Sequence, residues 1–286
     1  MLLEATAVSK TFSARRGGRQ VMAVREATIH VQPGDFVAIV GESGSGKSTL
    51  ARMLLDLLPA TSGSVSLDGV DTRKMNGPDR VRFRRSVQAV LQDPAGSLNP
   101  RKTVGRTIAE VATLHRIARG RALRAKVIDT LELVGLAPGA SFLDRYPHEL
   151  SGGQRQRVLI ARAIVLDPRI IVADEAISAL DASVKAGVLR VMNELRTRLG
   201  VGYVFITHDL PVVRKVAEYV YVMRAGQIVE EGTTTQIFSA ARHPYTRELL
   251  AAAPRLRRTS ASNHSVENPA EPTNPRPSSL AATTDR

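Results

Sequence analysis

The nine residues "GESGSGKST", Gly41 to Thr49, constrain this chain more than any other stretch. They match G-x-x-x-x-G-K-[ST] and sit between two contrasting runs. Before them, Phe36 to Val40 reads as a short buried strand; after them, "KSTLARMLLDLLP" reads as a helix closed by Pro59. Glycines allow the backbone to wrap until successive N–H groups face an anion, and the helix adds its positive N-terminal end. Gly41, Ser43, Gly44, Ser45, Gly46 and Thr49 thus line a phosphate cradle. Lys47 is placed to reach β- and γ-phosphates, and the Ser48 hydroxyl to ligate Mg²⁺. The chemistry implied is that of a nucleoside triphosphate.

A second stretch, "RIIVADEAISALD" from Arg169 to Asp181, ends an apolar run on two adjacent acids. Burying a carboxylate without compensation is costly. A cation repays that cost, so Asp174 is expected to hold Mg²⁺ beside the phosphate loop. Glu175, one residue on, points elsewhere and is the candidate base for a water attacking the γ-phosphate.

Strand and helix patterns alternate along most of the chain, which implies a mostly parallel sheet covered on both faces. Residues 2–31 alternate loosely and suggest an antiparallel hairpin or meander broken by the basic loop "SARRGGRQ". "GSVSLDG" and "SVQAVLQ" read as further strands, and 94–150 as an inserted helical segment without a strand. A helix from about Gln154, a strand at Ile170–Ala173, a helix over 182–199 ended by Gly200, and a strand at Tyr203–Thr207 follow. "YVYVMRAGQIV" reads as a closing hairpin, and 255–286, rich in Pro, Ser, Asn and Thr, as a disordered tail.

Composition excludes several classes. Zero cysteines rule out disulfides, Cys-ligated zinc, iron–sulfur clusters and thiol catalysis. The start "MLLEATAVSKTF" has no basic region followed by an apolar one, and no apolar run is long enough to span a bilayer, so a cytoplasmic location is expected. The net charge of +13 is concentrated in two segments. Arg73, Lys74, Arg80, Arg82, Arg84 and Arg85 face the single acid Asp79. Arg101, Lys102, Arg106, Arg116, Arg119, Arg121, Arg124 and Lys126 face Glu110. These are either solvated helix faces or patches for anionic headgroups. Nucleic acid is not expected as a partner, since Phe83 alone in these segments can stack on a base.

"ELSGGQRQRVLIARAI", Glu149 to Ile164, discriminates among nucleoside triphosphatases. It resembles the signature L-S-G-G-Q of ABC-type ATPases, complete at Leu150, Ser151, Gly152, Gly153 and Gln154. "LQDPAGSLNPRKTVG" and "ARHPYTRELLAAAP" narrow the resemblance to the oligopeptide/dipeptide/nickel importer ATPases. The resemblance covers roughly residues 3–254. It implies a P-loop NTPase (RecA-like) α/β fold with a mostly parallel core, an N-terminal antiparallel β subdomain and an inserted α-helical subdomain at about 94–150. It further implies ATP and Mg²⁺ as ligands, bound in a head-to-tail dimer, homo- or heteromeric, between Lys47's loop of one subunit and Ser151's motif of the other. Gln92 resembles the glutamine that contacts Mg²⁺ and the attacking water, and His208 in "VFITHD" the switch histidine at the γ-phosphate. Asp181 in "SALD" falls in the interface loop. Phe12 is a candidate to stack on adenine, with a core position as the alternative. Membrane permease subunits, and through them an extracytoplasmic solute-binding protein, are the implied partners, which puts the chain peripherally on the cytoplasmic face of the membrane.

The resemblance departs at one place. Family members usually read D-E-P-T, whereas this chain reads Asp174-Glu175-Ala176-Ile177. Proline would fix the turn's φ and threonine would offer a local hydrogen bond, so a looser placement of Glu175 or of the interface loop Ser178–Asp181 is expected, with activity surviving at a slower rate. The function implied is ATP hydrolysis driving import of peptides or a related small solute. The alternative is a soluble ABC-type ATPase serving as scaffold or regulator in an enzyme complex, like those of phosphonate degradation.

Overall fold

The computed structural model describes residues 1–13, 20–91 and 94–252. The basic loop at 14–19, Gln92 and the 255–286 tail lie outside the described residues.

In chain order the elements are β1 (Leu3–Phe12), β2 (Val21–Val31), β3 (Phe36–Val40), α1 (Lys47–Leu54), β4 (Ser62–Leu67), β5 (Val70–Asp71), α2 (Gly77–Ser86) and β6 (Val87–Val90). Then come α3 (Pro94–Ser97), α4 (Val104–Leu114), α5 (Gly120–Leu133), α6 (Gly152–Ile164), β7 (Ile170–Asp174) and α7 (Ala182–Leu199). The order closes with β8 (Gly202–Ile206), α8 (Leu210–Val216), β9 (Tyr219–Arg224), β10 (Gln227–Thr233), α9 (Thr234–Ala240) and α10 (Pro244–Ala252). Among the described residues, no strand falls between Val90 and Ile170.

Two sheets organise these elements. The first is antiparallel, in the order β2-β1-β4-β5; the second runs β10-β9-β3-β8-β7-β6. Within the second, β9, β3, β8, β7 and β6 are parallel and only β10 is antiparallel. Its central strands are apolar on both faces, as a covered parallel sheet requires. Phe36, Ala38, Ile171, Ala173, Tyr203 and Phe205 pack toward a core shared with α4 to α8. The alternate residues Val37, Ile39, Ile170, Val172, Val204 and Ile206 pack toward α1 and the antiparallel sheet. A period of two along each strand thus builds two cores at once.

Several ends differ from the sequence expectation. The helix after the glycine turn stops at Leu54, short of Pro59, because Asp56 enters the left-handed region at φ 53°. The N–H groups of Leu57 and Leu58 both then return to the carbonyl of Arg52, closing the helix. Helix α6 begins two residues early because Ser151 caps it, and β8 begins and ends one residue early. Within the segment 94–150, expected to be helical, helices α4 and α5 are separated by a break between Leu114 and Gly120. By contrast α7 has the expected bounds, with Gly200 at φ 66° as its left-handed terminator.

Candidate functional site

Three neighbouring strands deliver the site. β7, β8 and β3 are adjacent and parallel, so their C-terminal ends share one edge of the sheet, where open α/β folds place ligands. β3 runs into the phosphate loop, β7 ends on Asp174, and β8 leads to His208. Backbone bonds continue past the strands: Glu175 N–H donates to Ile206 O at 2.9 Å and Thr207 N–H to Ile39 O at 3.3 Å.

The phosphate loop is closely backed. Gly46 has φ 105°, and a Cβ there would lie 2.3 Å from the Ala23 carbonyl oxygen. Gly41, with φ 152°, would put a Cβ 2.1 Å from the Met223 carbonyl oxygen. Glycine is required at both positions by conformation and by space. Gly226 N–H donates to Ser45 O at 2.9 Å, so the β9–β10 turn supports the loop from behind.

Lys47 is 5% exposed and donates to Gly41 O at 2.8 Å, Glu42 O at 2.7 Å and Ser45 Oγ at 3.3 Å. Burial lowers its pKa from the ordinary lysine value, while the charges of Glu175, Asp174 and Glu42 work the other way. Ser48 Oγ donates to Asp174 Oδ1 at 3.1 Å. Asp174 is buried, and burial pushes its carboxyl above the usual aspartate range, against the pull of the Ser48 bond; the Glu175 charge adds to the push. Hydroxyl and carboxylate oxygens side by side are hard donors of the kind Mg²⁺ takes, and a cation would offset the buried charge. Among the described residues no cluster of three or more His, Cys, Asp or Glu could hold a metal by itself. These oxygens therefore suit an ion that takes its remaining ligands from phosphate and water.

Glu175 sits at φ 46°, in the left-handed region rare for a side-chain residue, so the chain bends directly after Asp174. Glu175 Oε1 lies 3.3 Å from Nδ1 of the exposed His208. The bend is held from the other side, since Ser178 N–H and Oγ both donate to Glu175 O, at 3.1 and 2.9 Å. Ala176 and Ile177 are buried in the larger core. Burial of Ile177 and the two Ser178 bonds support the turn in which Glu175 sits.

The signature residues lie apart from this cluster. Ser151 caps α6 reciprocally with Gln154: Gln154 N–H donates to Ser151 Oγ at 3.3 Å, and Ser151 N–H to Gln154 Oε1 at 2.9 Å. Ser151 and Gly152 are exposed, whereas Gly153 packs so tightly on α7 that a Cβ would meet Val184 Cγ1 at 2.4 Å. Asp181 caps α7, accepting from Val184 N–H at 3.0 Å and Ser183 Oγ at 2.7 Å, and these bonds hold its carboxyl below the usual range. Signature and "SALD" loop therefore form one surface. Phe12 is exposed at the end of β1, with Lys10 Nζ 5.5 Å from its ring centroid, so the core alternative does not hold.

Comparison with known proteins identifies the family and the fold. The profile of the ABC transporter family matches residues 24–178. The chain belongs to the ABC transporter family. A second profile, the C-terminal region of oligopeptide/dipeptide transporters, matches residues 229–277 of this ABC cassette. The dipeptide transport ATP-binding protein DppF of Haemophilus influenzae is 44% identical over 259 residues, 89% of this chain and 79% of that protein. The glutathione import ATP-binding protein GsiA of Pectobacterium atrosepticum is 44% identical over 236 residues, 82% of this chain but 38% of that longer protein. Among solved structures, the dimeric cassette MJ0796 in a post-hydrolysis state bound to ADP and Pi superposes with a TM-score of 0.70 at 28% identity, covering 81% of this chain and 98% of that one. The cassette cbiO1 of Clostridium perfringens, part of the cbiONQ transporter complex, gives a TM-score of 0.72 at 25% identity, covering 83% and 90%. The fold is that of an ABC ATPase.

One contact escaped the sequence reading. Glu42 N–H donates to the hydroxyl of Tyr245 at 3.0 Å, a bond spanning 203 positions. Only the "HPYT" run hinted at Tyr245, and it offered no partner.

Proposed function

We propose that this chain is the ATP-hydrolysing subunit of an importer for peptides or related small solutes. The observation that carries the reading is the pairing of an ATPase site at 41–49, 174–175 and 208 with a C-terminal segment matching the oligopeptide/dipeptide transporter region. Among the described residues and the matched relatives, nothing favours the soluble scaffold reading.

In this proposal Lys47 leaves the loop carbonyls for the β- and γ-phosphates of ATP, and the loop's N–H groups take the remaining oxygens. Ser48 and Asp174, with Gln92, hold Mg²⁺, which when bound neutralises developing phosphate charge. Glu175 accepts the proton of the attacking water. His208 Nδ1, 3.3 Å from Glu175 Oε1, holds the Glu175 carboxylate in orientation, and the imidazole contacts the γ-phosphate. Phe12 stacks on the adenine. The exposed turn Ser151–Gln154 and Asp181 complete the site of a second cassette, identical or not, and receive that subunit's ATP. Residues 1–254 form the cassette, with the helical subdomain at about 94–150 facing permease subunits, and 255–286 form a tail. The chain then sits peripherally on the cytoplasmic face of the membrane, served by an extracytoplasmic binding protein. Affinity isolation of the tagged chain from solubilised membranes tests this: integral permease subunits are expected to co-purify, and recovery with soluble enzymes alone rejects the importer reading.

A further inference from the structure

The Gly41–Glu42 peptide unit opens the phosphate loop, and it is held on both sides. Its carbonyl, from Gly41, accepts from Lys47 Nζ at 2.8 Å; its N–H, from Glu42, donates to Tyr245 Oη at 3.0 Å. These two tethers have different fates. Lys47 is the side chain that must leave for the phosphates, whereas Tyr245 belongs to the C-terminal segment and is buried in the fold.

Tyr245 is itself firmly placed. It is 2% exposed in the first turn of α10, and the Arg224 guanidinium lies 4.8 Å from its ring centroid. Its N–H donates to His243 Nδ1 at 3.2 Å. The turn before it is stapled by Glu230, whose carboxylate accepts from Arg242 N–H at 2.7 Å and His243 N–H at 3.1 Å. The chain from Glu230 to Tyr245 lies inside the segment matched to the transporter C-terminal region. That segment therefore reaches the phosphate loop through the Tyr245 hydroxyl.

We propose that Tyr245 is a positioning residue for the phosphate loop: its hydroxyl fixes the Gly41–Glu42 peptide so that the nucleotide-free cradle already has the shape that receives ATP. The idea rests on the assignment of 41–49 as the ATP site. Losing the hydroxyl leaves a backbone donor unmatched and lets the peptide rotate, so the effect falls on nucleotide capture. Once phosphate occupies the loop, it supplies the order itself, and turnover is spared.

Tyr245→Phe in the full chain is the test, since it keeps the ring and its packing. The dissociation constant and KM for ATP are expected to rise on the order of fivefold, matching one net hydrogen bond. kcat is expected to change less than about twofold, and the melting temperature of the nucleotide-free protein by no more than about 2 °C. Hydrogen exchange at the Glu42 amide should accelerate in the nucleotide-free variant and return to the wild-type rate with ATP bound. Unchanged ATP affinity with unchanged Glu42 exchange overturns the proposal. So does a lowered melting temperature with unaltered affinity, which is what a purely structural tyrosine gives. Failure of the wild-type chain to bind ATP would instead reject the ATP-site assignment.

Discussion

The phosphate loop and the signature turn are written in nearly the same local grammar. Each is a glycine-containing turn that opens a helix and offers backbone N–H groups to an anion. Their settings are opposite. The loop is enclosed by the Met223 and Ala23 carbonyls, the β9–β10 turn and Tyr245, and its lysine is buried. The signature turn lies on the surface, its cap closed between Ser151 and Gln154. One seat is enclosed by its own chain. The other is exposed at Ser151 and Gly152, the arrangement expected if, as proposed, it completes the site of a second cassette.

The contrast can be broken from either side. Glu175→Gln is expected to lower kcat at least about a hundredfold, the scale of a lost general base, while ATP binding persists. Single-turnover hydrolysis alongside size-exclusion chromatography reads both effects, and ATP should shift the variant to a dimer. Wild-type turnover would remove Glu175 from the chemistry. Ser151→Arg is expected to abolish hydrolysis nearly as fully without touching the chain's own loop, so equilibrium ATP binding should match wild type. A variant that hydrolyses ATP normally would mean that the signature surface is not part of a site.

Asp174→Asn sharpens the contrast through stability. The folded-state pKa of Asp174 is raised, so the folded state holds this proton more tightly than the unfolded chain does. Its contribution to stability is therefore present at low pH and lost as pH rises through the folded-state pKa. At neutral pH the nucleotide-free Asn variant is expected to melt higher than wild type, with a flatter pH profile on the acidic side, while ATPase activity falls. A lower melting temperature would mean that the buried carboxylate stabilises the empty fold. The smallest effect belongs to the turn: Ile177→Thr is expected to cost about 1–2 kcal/mol by placing a hydroxyl in the core. Chemical denaturation checks it, and a neutral result would put Ile177 outside the packing that holds Glu175.

How much of this was legible beforehand depended on the range of the signal. Helix α7 could be bounded from sequence because its cap Asp181 and terminator Gly200 act within a turn of their positions. The end of α1 was misplaced because Pro59 was the visible breaker, while the actual stop is a backbone excursion at Asp56 with no residue signature. At the turn after Asp174 the two substitutions are visible in the sequence and its supports are not. Ser178 and the core around Ile177 do that work across a fold.

The sequence by itself determined the chemistry: a phosphate cradle, an acid pair at a strand end, a histidine after the next strand and a second glycine seat. Motif residues act through backbone geometry that is local to the motif, so their order and spacing suffice. Only the tertiary structure decided which of these meet. It placed Ser48 on Asp174 and Glu175 beside His208, left the signature facing outward, and brought Tyr245 to the loop from 203 positions away. Those pairings depend on strand order and parallel register, which are set by two cores packing at once and are written at no single position.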